Sequence, residues 1–346
     1  MSRKLVKVLG VAFVLVLAAS QAAAQSAPAD SLGPAVKSTC GVGPKLVPRC
    51  GAWWGVASNP LNGETWDAAL VNFETQIGRT VNISHYYQRA GERFPTPTQI
   101  KRATEPGKNR LLSINYKPEA GHTWAQVAAG ATNAELDALA AYMNANFRQQ
   151  FFFTVHHEPE EEVRPTPGSG YTATDYRAMY RHVILRLRSR GVNQIVTVMN
   201  YVGLPRWGSE PWFEDMYPGN DVVDWIAYDP YIFGSGAYRG GIEDLFNRTF
   251  PEYPNWPGFY TWATNFAPGK PLMLGEWGVA EQPGNPAAKA ALFTQLGEQT
   301  RYWPAIKALV YWNSSVGRTV GVTRVDTSAA SLTAYRRTGM LPYFNP

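Results

Sequence analysis

Two stretches decide the fold: Gln150-Phe151-Phe152-Phe153-Thr154-Val155-His156-His157-Glu158-Pro159 and Pro271-Leu272-Met273-Leu274-Gly275-Glu276-Trp277-Gly278. Each is an apolar run of strand length that ends in a carboxylate. An acid closing a buried strand is costly unless it is hydrogen-bonded or opens into a cleft, so each marks a strand end that faces something polar. Six further runs of the same kind are spaced fairly evenly along the chain: Trp53 to Ala57, Thr80 to Tyr87, Asn109 to Tyr116, Gln194 to Tyr201, Asp221 to Tyr228 and Ile306 to Trp312. With the quoted pair (Gln150 to His157 and Pro271 to Gly275) they make eight, each followed by a helical pattern or a loop long enough to hold a helix. Eight buried strands alternating with helices predict an α/β fold closed into a (β/α)8 TIM barrel.

The clearest helix joins runs four and five. Tyr176, Met179, Tyr180, Val183, Ile184 and Leu187 recur on one helical face, with Thr174 as the expected N-cap and Gly191 as the expected C-cap. Residues Asn133 to Phe147 and Ala287 to Trp303 read as helices too, whereas Pro205, Gly208 and Pro211 leave room for only a short turn after run five. An open doubly wound sheet would place a glycine-rich phosphate loop after its first strand. Ser58-Asn59-Pro60-Leu61-Asn62-Gly63 is instead a turn without that spacing.

The first 24 residues carry Arg3, Lys4 and Lys7, an apolar stretch from Val8 to Ala19 and the small-residue triplet Ala22-Ala23-Ala24. This is the pattern of a secretory signal peptide, too short in its apolar core to span a membrane, so a secreted mature chain with no membrane partner is expected. Removing those three cations from the formal charge of +5 leaves +2, with Lys and Arg scattered, which argues against nucleic acid as a partner. Residues 25–50 read as a linker or lead-in, and 51–346 as one catalytic domain. Cys40 and Cys50 flank a turn-rich segment in an exported chain, and a disulfide between them is expected. Aromatic residues make up 13% of the chain, with 12 Trp and 18 Tyr, which suits either sugar stacking or an aromatic core.

Barrel active sites lie at the C-terminal ends of the strands, which singles out Glu158 and Glu276 as catalytic candidates. Two carboxylates facing one another across a cleft are what glycosidic cleavage requires. At these residues the chain resembles glycoside hydrolase family 26. His157-Glu158 matches the family's His-Glu on strand four, Gly275-Glu276-Trp277-Gly278 its nucleophile segment on strand seven, and Asp229-Pro230-Tyr231 its Asp-x-Tyr ending of strand six. Trp312 falls at its stacking Trp on strand eight. The resemblance implies a retaining endo-β-glycanase, with Glu158 as acid/base, Glu276 as nucleophile, and His157, Asp229, Tyr231, Trp277 and Trp312 around the substrate. It also implies β-mannan or a related hemicellulose as substrate, with β-glucan or xylan as alternatives. The family usually carries an Arg three residues before the His and Met-Asn-Gly after the Glu, where this chain has Thr154 and Pro159-Glu160-Glu161.

Asn200, His85 with Tyr87, and Trp124 with His122 are further candidates to line the substrate site. Strict strand alternation puts His156 on the side of Glu158 and turns His157 away, the resemblance favours His157, and a bulge would present both. The run Glu160-Glu161-Glu162 reads as a solvated loop, and His182 as structural. No cofactor and no metal are expected, because adjacent histidines on a strand point to opposite faces and no His-x-His occurs. A monomer is expected. A non-catalytic carbohydrate-binding barrel is the rival that would keep the aromatics and lose a carboxylate.

Overall fold

A computed structural model describes residues 40–346 apart from 62, 235, 237–239 and 317–320. The expected signal peptide and residues 25–39 of the lead-in lie outside the described residues. Eight parallel strands follow the chain: β1 (Trp53–Ser58), β2 (Ile83–Arg89), β3 (Leu111–Lys117), β4 (Phe151–Val155), β5 (Ile195–Tyr201), β6 (Trp225–Tyr228), β7 (Leu272–Val279) and β8 (Ile306–Asn313). Neighbours in sequence are neighbours in space. Pairing of β6 with β7 and of β8 with β1 closes the sheet into a barrel, and a two-residue strand, Tyr231–Ile232, is added to the end of β7. Each predicted run contains a strand, with limits shifted by up to four residues at the start and up to four at the end.

Alternation along the strands sorts the apolar residues into two cores. Ala57, Ile83, Phe152, Val196, Val198, Ala227, Met273, Ala308 and Val310 fill the barrel, while Trp54, Ile114, Phe153, Met199, Leu274 and Tyr311 face the helices. The long helix spans Ala173–Ser189. It starts two residues earlier than expected, because Thr172 rather than Thr174 is the N-cap and forms a reciprocal capping box with Asp175. At its other end Arg190 is the cap, and Gly191 follows in the left-handed conformation at φ 81°. The short turn expected after β5 is the helix Pro205–Gly208. Among the described residues no helix is long and apolar enough to cross a membrane.

The segment before β1 closes the floor of the barrel. Leu46 packs into the interior core, Trp53 Nε1 donates to Leu46 O at 2.7 Å, and Trp225 Nε1 donates to Lys45 O at 2.8 Å. Cys40 and Cys50 are disulfide-bonded across this plug. Closing a loop of this length contributes about 2 to 3 kcal/mol by restricting the unfolded chain. The Cys40→Ser/Cys50→Ser variant should therefore melt roughly 4 °C below the parent while keeping its activity, since the plug lies at the end of the barrel away from Glu158 and Glu276. Thermal melting beside a rate assay checks both halves.

Candidate active site

At the C-terminal mouth one oxygen each of Glu158, Asp229 and Glu276 lie within 4.8 Å of one another. Two backbone irregularities produce this convergence. On β7, Met273 points into the barrel and Leu274 toward the helices, so unbroken alternation would send Glu276 outward with Leu274. The register with β8 slips between Leu274 and Trp277, and that bulge turns Trp277 to the helix side and Glu276 inward. Gly275 makes room for it. A Cβ there would stand 1.8 Å from Asn200 Oδ1 and 2.9 Å from Asp229 Oδ1.

The second irregularity ends β4. His156 and Glu158 both adopt left-handed backbone conformations, at φ 48° and 55°, so alternation no longer governs where the side chains point. His156 is buried on the helix side against Trp124 and Tyr176, with Nδ1 bonded to Glu119 Oε1 and Nε2 3.2 Å from Glu162 Oε1. His157 instead reaches the mouth, its ring 5.5 Å from that of Tyr87. The turn is pinned to both neighbouring strands, with His156 N donating to Tyr116 O at 2.8 Å and Glu158 N to Asn200 O at 3.0 Å.

Glu276 is 8% exposed and both its oxygens are engaged: Oε1 accepts from Tyr87 OH at 2.5 Å and Oε2 from Tyr231 OH at 2.7 Å. Asp229 Oδ1 accepts from Glu276 N at 2.7 Å and Oδ2 from Asn200 Nδ2 at 2.7 Å, so Asn200 and Asp229 hold the strand end that carries Glu276. Burial, with the charge of Glu276 second, pushes Glu158 up to about 8 and Asp229 well above the usual carboxylate range. Burial raises Glu276 as well, and the two phenols oppose that rise by donating to its ionised form. Each oxygen of Asp229 and Glu276 thus accepts one N–H or O–H from the protein.

The remaining candidates divide. Trp312 is half-buried at the mouth, edge-on to Tyr87 with ring centres 5.7 Å apart. His85 lies inside the barrel below Tyr87, with Nδ1 3.0 Å from Ser113 Oγ, and burial lowers it to about 3. Trp124 and Trp277 are corrections, both 0% exposed. Trp124 packs on His156, Tyr171 and Tyr176, and Trp277 on Trp54, Phe293 and Tyr311. Neither offers a face to the cleft. The acidic run is corrected in part: Glu160 is buried, accepts from Val202 N at 3.1 Å and Gly203 N at 3.2 Å, and burial pushes it up to about 7. His182 Nε2 meets Asn133 Oδ1 at 2.7 Å, a contact between helices. Tyr87 gains the most weight. The sequence offers it, with His85, as a residue to line the substrate site, but nothing in its neighbourhood announces a bond to a residue 189 positions away.

No protein-family model matches the chain. Among curated proteins it is similar to endoglucanase H of Acetivibrio thermocellus, 23% identical over 294 residues, which cover 83% of this chain and 30% of that protein's length. Among solved structures it is similar to a GH26 β-mannanase from Bacteroides ovatus, with a TM-score of 0.55, 15% identity, and 85% of this chain and 90% of that chain covered. The catalytic domain of a GH26 endo-β-1,4-mannanase from Bacillus sp. JAMB-750 gives a TM-score of 0.54 at 15% identity, covering 85% and 86%. A β-mannanase from a symbiotic protist of the termite Reticulitermes speratus, solved with a gluco-manno-oligosaccharide, gives 0.53 at 13% identity, covering 83% and 86%. The chain thus shares its fold with GH26 β-mannanases of known structure.

Proposed function

We propose that this chain is a secreted, retaining endo-β-glycanase acting on β-mannan or a related hemicellulose, with Glu276 as nucleophile and Glu158 as acid/base. The observation that carries the reading is the closeness of the two carboxylates. Their nearest oxygens lie within 4.8 Å, near the roughly 5 to 5.5 Å of retaining enzymes and short of the roughly 6.5 Å or more that leaves room for an inverting water.

In this reading Glu158 begins protonated, as its burial favours, and gives its proton to the glycosidic oxygen as that bond breaks. Glu276 attacks the anomeric carbon and forms a glycosyl ester, its attacking oxygen oriented by Tyr87 or Tyr231. The aglycone leaves and water enters. Glu158, now ionised, removes a proton from the water as it attacks the same carbon, which releases Glu276 and restores both groups. Trp312 and His157 line the mouth beside Tyr87, where they would contact the sugar ring being cleaved. A β-glucan is the second substrate reading, favoured by the likeness to an endoglucanase over most of this chain.

The test is hydrolysis of mannan, glucomannan, mixed-linkage glucan and xylan, with the first-formed product followed by proton NMR before mutarotation. Cleavage of mannan or glucomannan to oligosaccharides with a β-configured new reducing end is expected. An α-configured first product would overturn the retaining assignment, and absence of cleavage on all four would overturn the glycanase reading.

A further inference from the structure

A second cavity opens at the same end of the barrel, beside the site already described. It measures about 400 Å³ and lies between the start of the helix Trp66–Ile77, the end of β2 and the start of the helix Pro97–Ala103. Tyr87 belongs to both places. Its hydroxyl holds Glu276, and its ring packs against Trp312 on β8 and against Trp66 in this cavity, with centres 5.7 and 5.8 Å apart. The cavity therefore begins one aromatic ring from the nucleophile.

Its walls have a distinctive chemistry. Trp66 is the first residue of its helix and is left half-buried, with Tyr86 and Tyr87 against it. Around it stand the half-buried Gln88, the hydroxyls of Thr65 and Thr98, and Gln99, whose Oε1 is occupied by Thr96 N at 2.8 Å. Asp67 also lines the cavity, but Arg102 pairs with both its oxygens at 2.6 and 2.9 Å, so it adds no uncompensated charge. A half-exposed indole ringed by neutral amides and hydroxyls does not suit a charged ligand. It suits a ring with an apolar face and a rim of hydroxyls, and the volume lies within the range of small-molecule sites.

We propose that this cavity is a remote subsite for a further β-linked hexopyranose unit of the same polysaccharide, stacked on Trp66 and hydrogen-bonded at its rim by Gln88. The inference rests on the glycanase reading and extends it to where the chain of the substrate runs. A subsite of this kind contributes only when the substrate is long enough to reach it, so its loss is felt in proportion to substrate length.

The experiment compares kcat/KM on a β-1,4-mannohexaose with kcat/KM on a short activated aryl β-mannoside, for the parent, Trp66→Ala, Trp66→Phe and Gln88→Ala. The ratio of the two is the readout, because a variant that merely folds less well loses both in proportion. The ratio should fall about tenfold for Trp66→Ala, the effect of losing one aromatic stacking partner. It should recover in part for Trp66→Phe, and fall by a smaller factor for Gln88→Ala. An unchanged ratio in Trp66→Ala, with a parent that cleaves the hexasaccharide, would overturn the subsite and leave the glycanase reading standing. A parent that cleaves no β-glycan would overturn both.

Discussion

Glu276→Ala is expected to abolish turnover of every glycoside, on the order of 10⁴-fold or more, because in the proposed mechanism Glu276 is the group that attacks the anomeric carbon. Its carboxylate is held by two phenols and its backbone by Asp229, so the substitution removes the nucleophile without disturbing the barrel's apolar interior. Glu158→Ala should fail differently. Protonating the leaving oxygen contributes about 10²- to 10⁴-fold, and only where the leaving group needs a proton. A substrate with an acidic phenol as leaving group should therefore still form the glycosyl ester at Glu276, releasing phenol in a burst. The second step then lacks its base, and added azide, which needs none, should accelerate it and yield a glycosyl azide of retained configuration. Burst kinetics with and without azide check this. A Glu276→Ala enzyme with appreciable activity, or a Glu158→Ala enzyme equally poor on good and bad leaving groups, would exchange or remove the two roles.

The second large effect concerns the tyrosines. Tyr231→Phe and Tyr87→Phe each delete one donor to Glu276, and each should lower kcat by about 10²- to 10³-fold, the scale of losing one hydrogen bond aimed at a reacting oxygen. The pH profile gives a signature that a packing defect would not. Activity needs Glu276 ionised and Glu158 protonated, so kcat/KM should be bell-shaped, with the basic limb where Glu158 loses its proton near 8. Burial raises Glu276 and the phenols hold it down, so removing one phenol raises it further and moves the acidic limb to higher pH. The basic limb should move much less. A profile that keeps its acidic limb in both variants would mean that neither hydroxyl tunes Glu276.

Much of this was legible along the chain, for reasons that are local. A buried parallel strand must be a short apolar run, and its polar end must face solvent or a cleft, so the eight runs and the acids closing two of them could be read residue by residue. The Cys40–Cys50 pairing follows from spacing and an export signal, and it is present in the structure. The N-cap of the long helix lies two residues before the expected Thr174, because Thr172 and Thr174 are equally good capping types and only the backbone distinguishes them.

The roles of individual aromatic residues were less legible. Trp277 sits next to a catalytic candidate in sequence yet belongs to the layer under the helices, and Trp124 is sealed beneath His156, whereas Tyr87, one subsite candidate among several, bonds the nucleophile and Trp66, unremarkable in its segment, stands in the adjoining cavity. Composition counts aromatic rings. It does not say which of them face the mouth.

By itself the sequence determined the barrel, the disulfide that staples its floor, and the two strands whose ends carry acids, because each depends on residue type and spacing within one segment. Only the tertiary structure decided that Glu276 faces inward, that His157 rather than His156 reaches the mouth, and that Tyr87 and Tyr231 share the Glu276 carboxylate while Asp229, held by Asn200, takes its backbone N–H. The physical reason is the two-residue period of a strand. One bulge between Leu274 and Trp277, or one left-handed residue at His156, inverts which side chains face the cleft. Whether the chain bulges there depends on the neighbouring strands as well as on Gly275, because Asn200 and Asp229 occupy the space a Cβ would need and the register with β8 slips beside it.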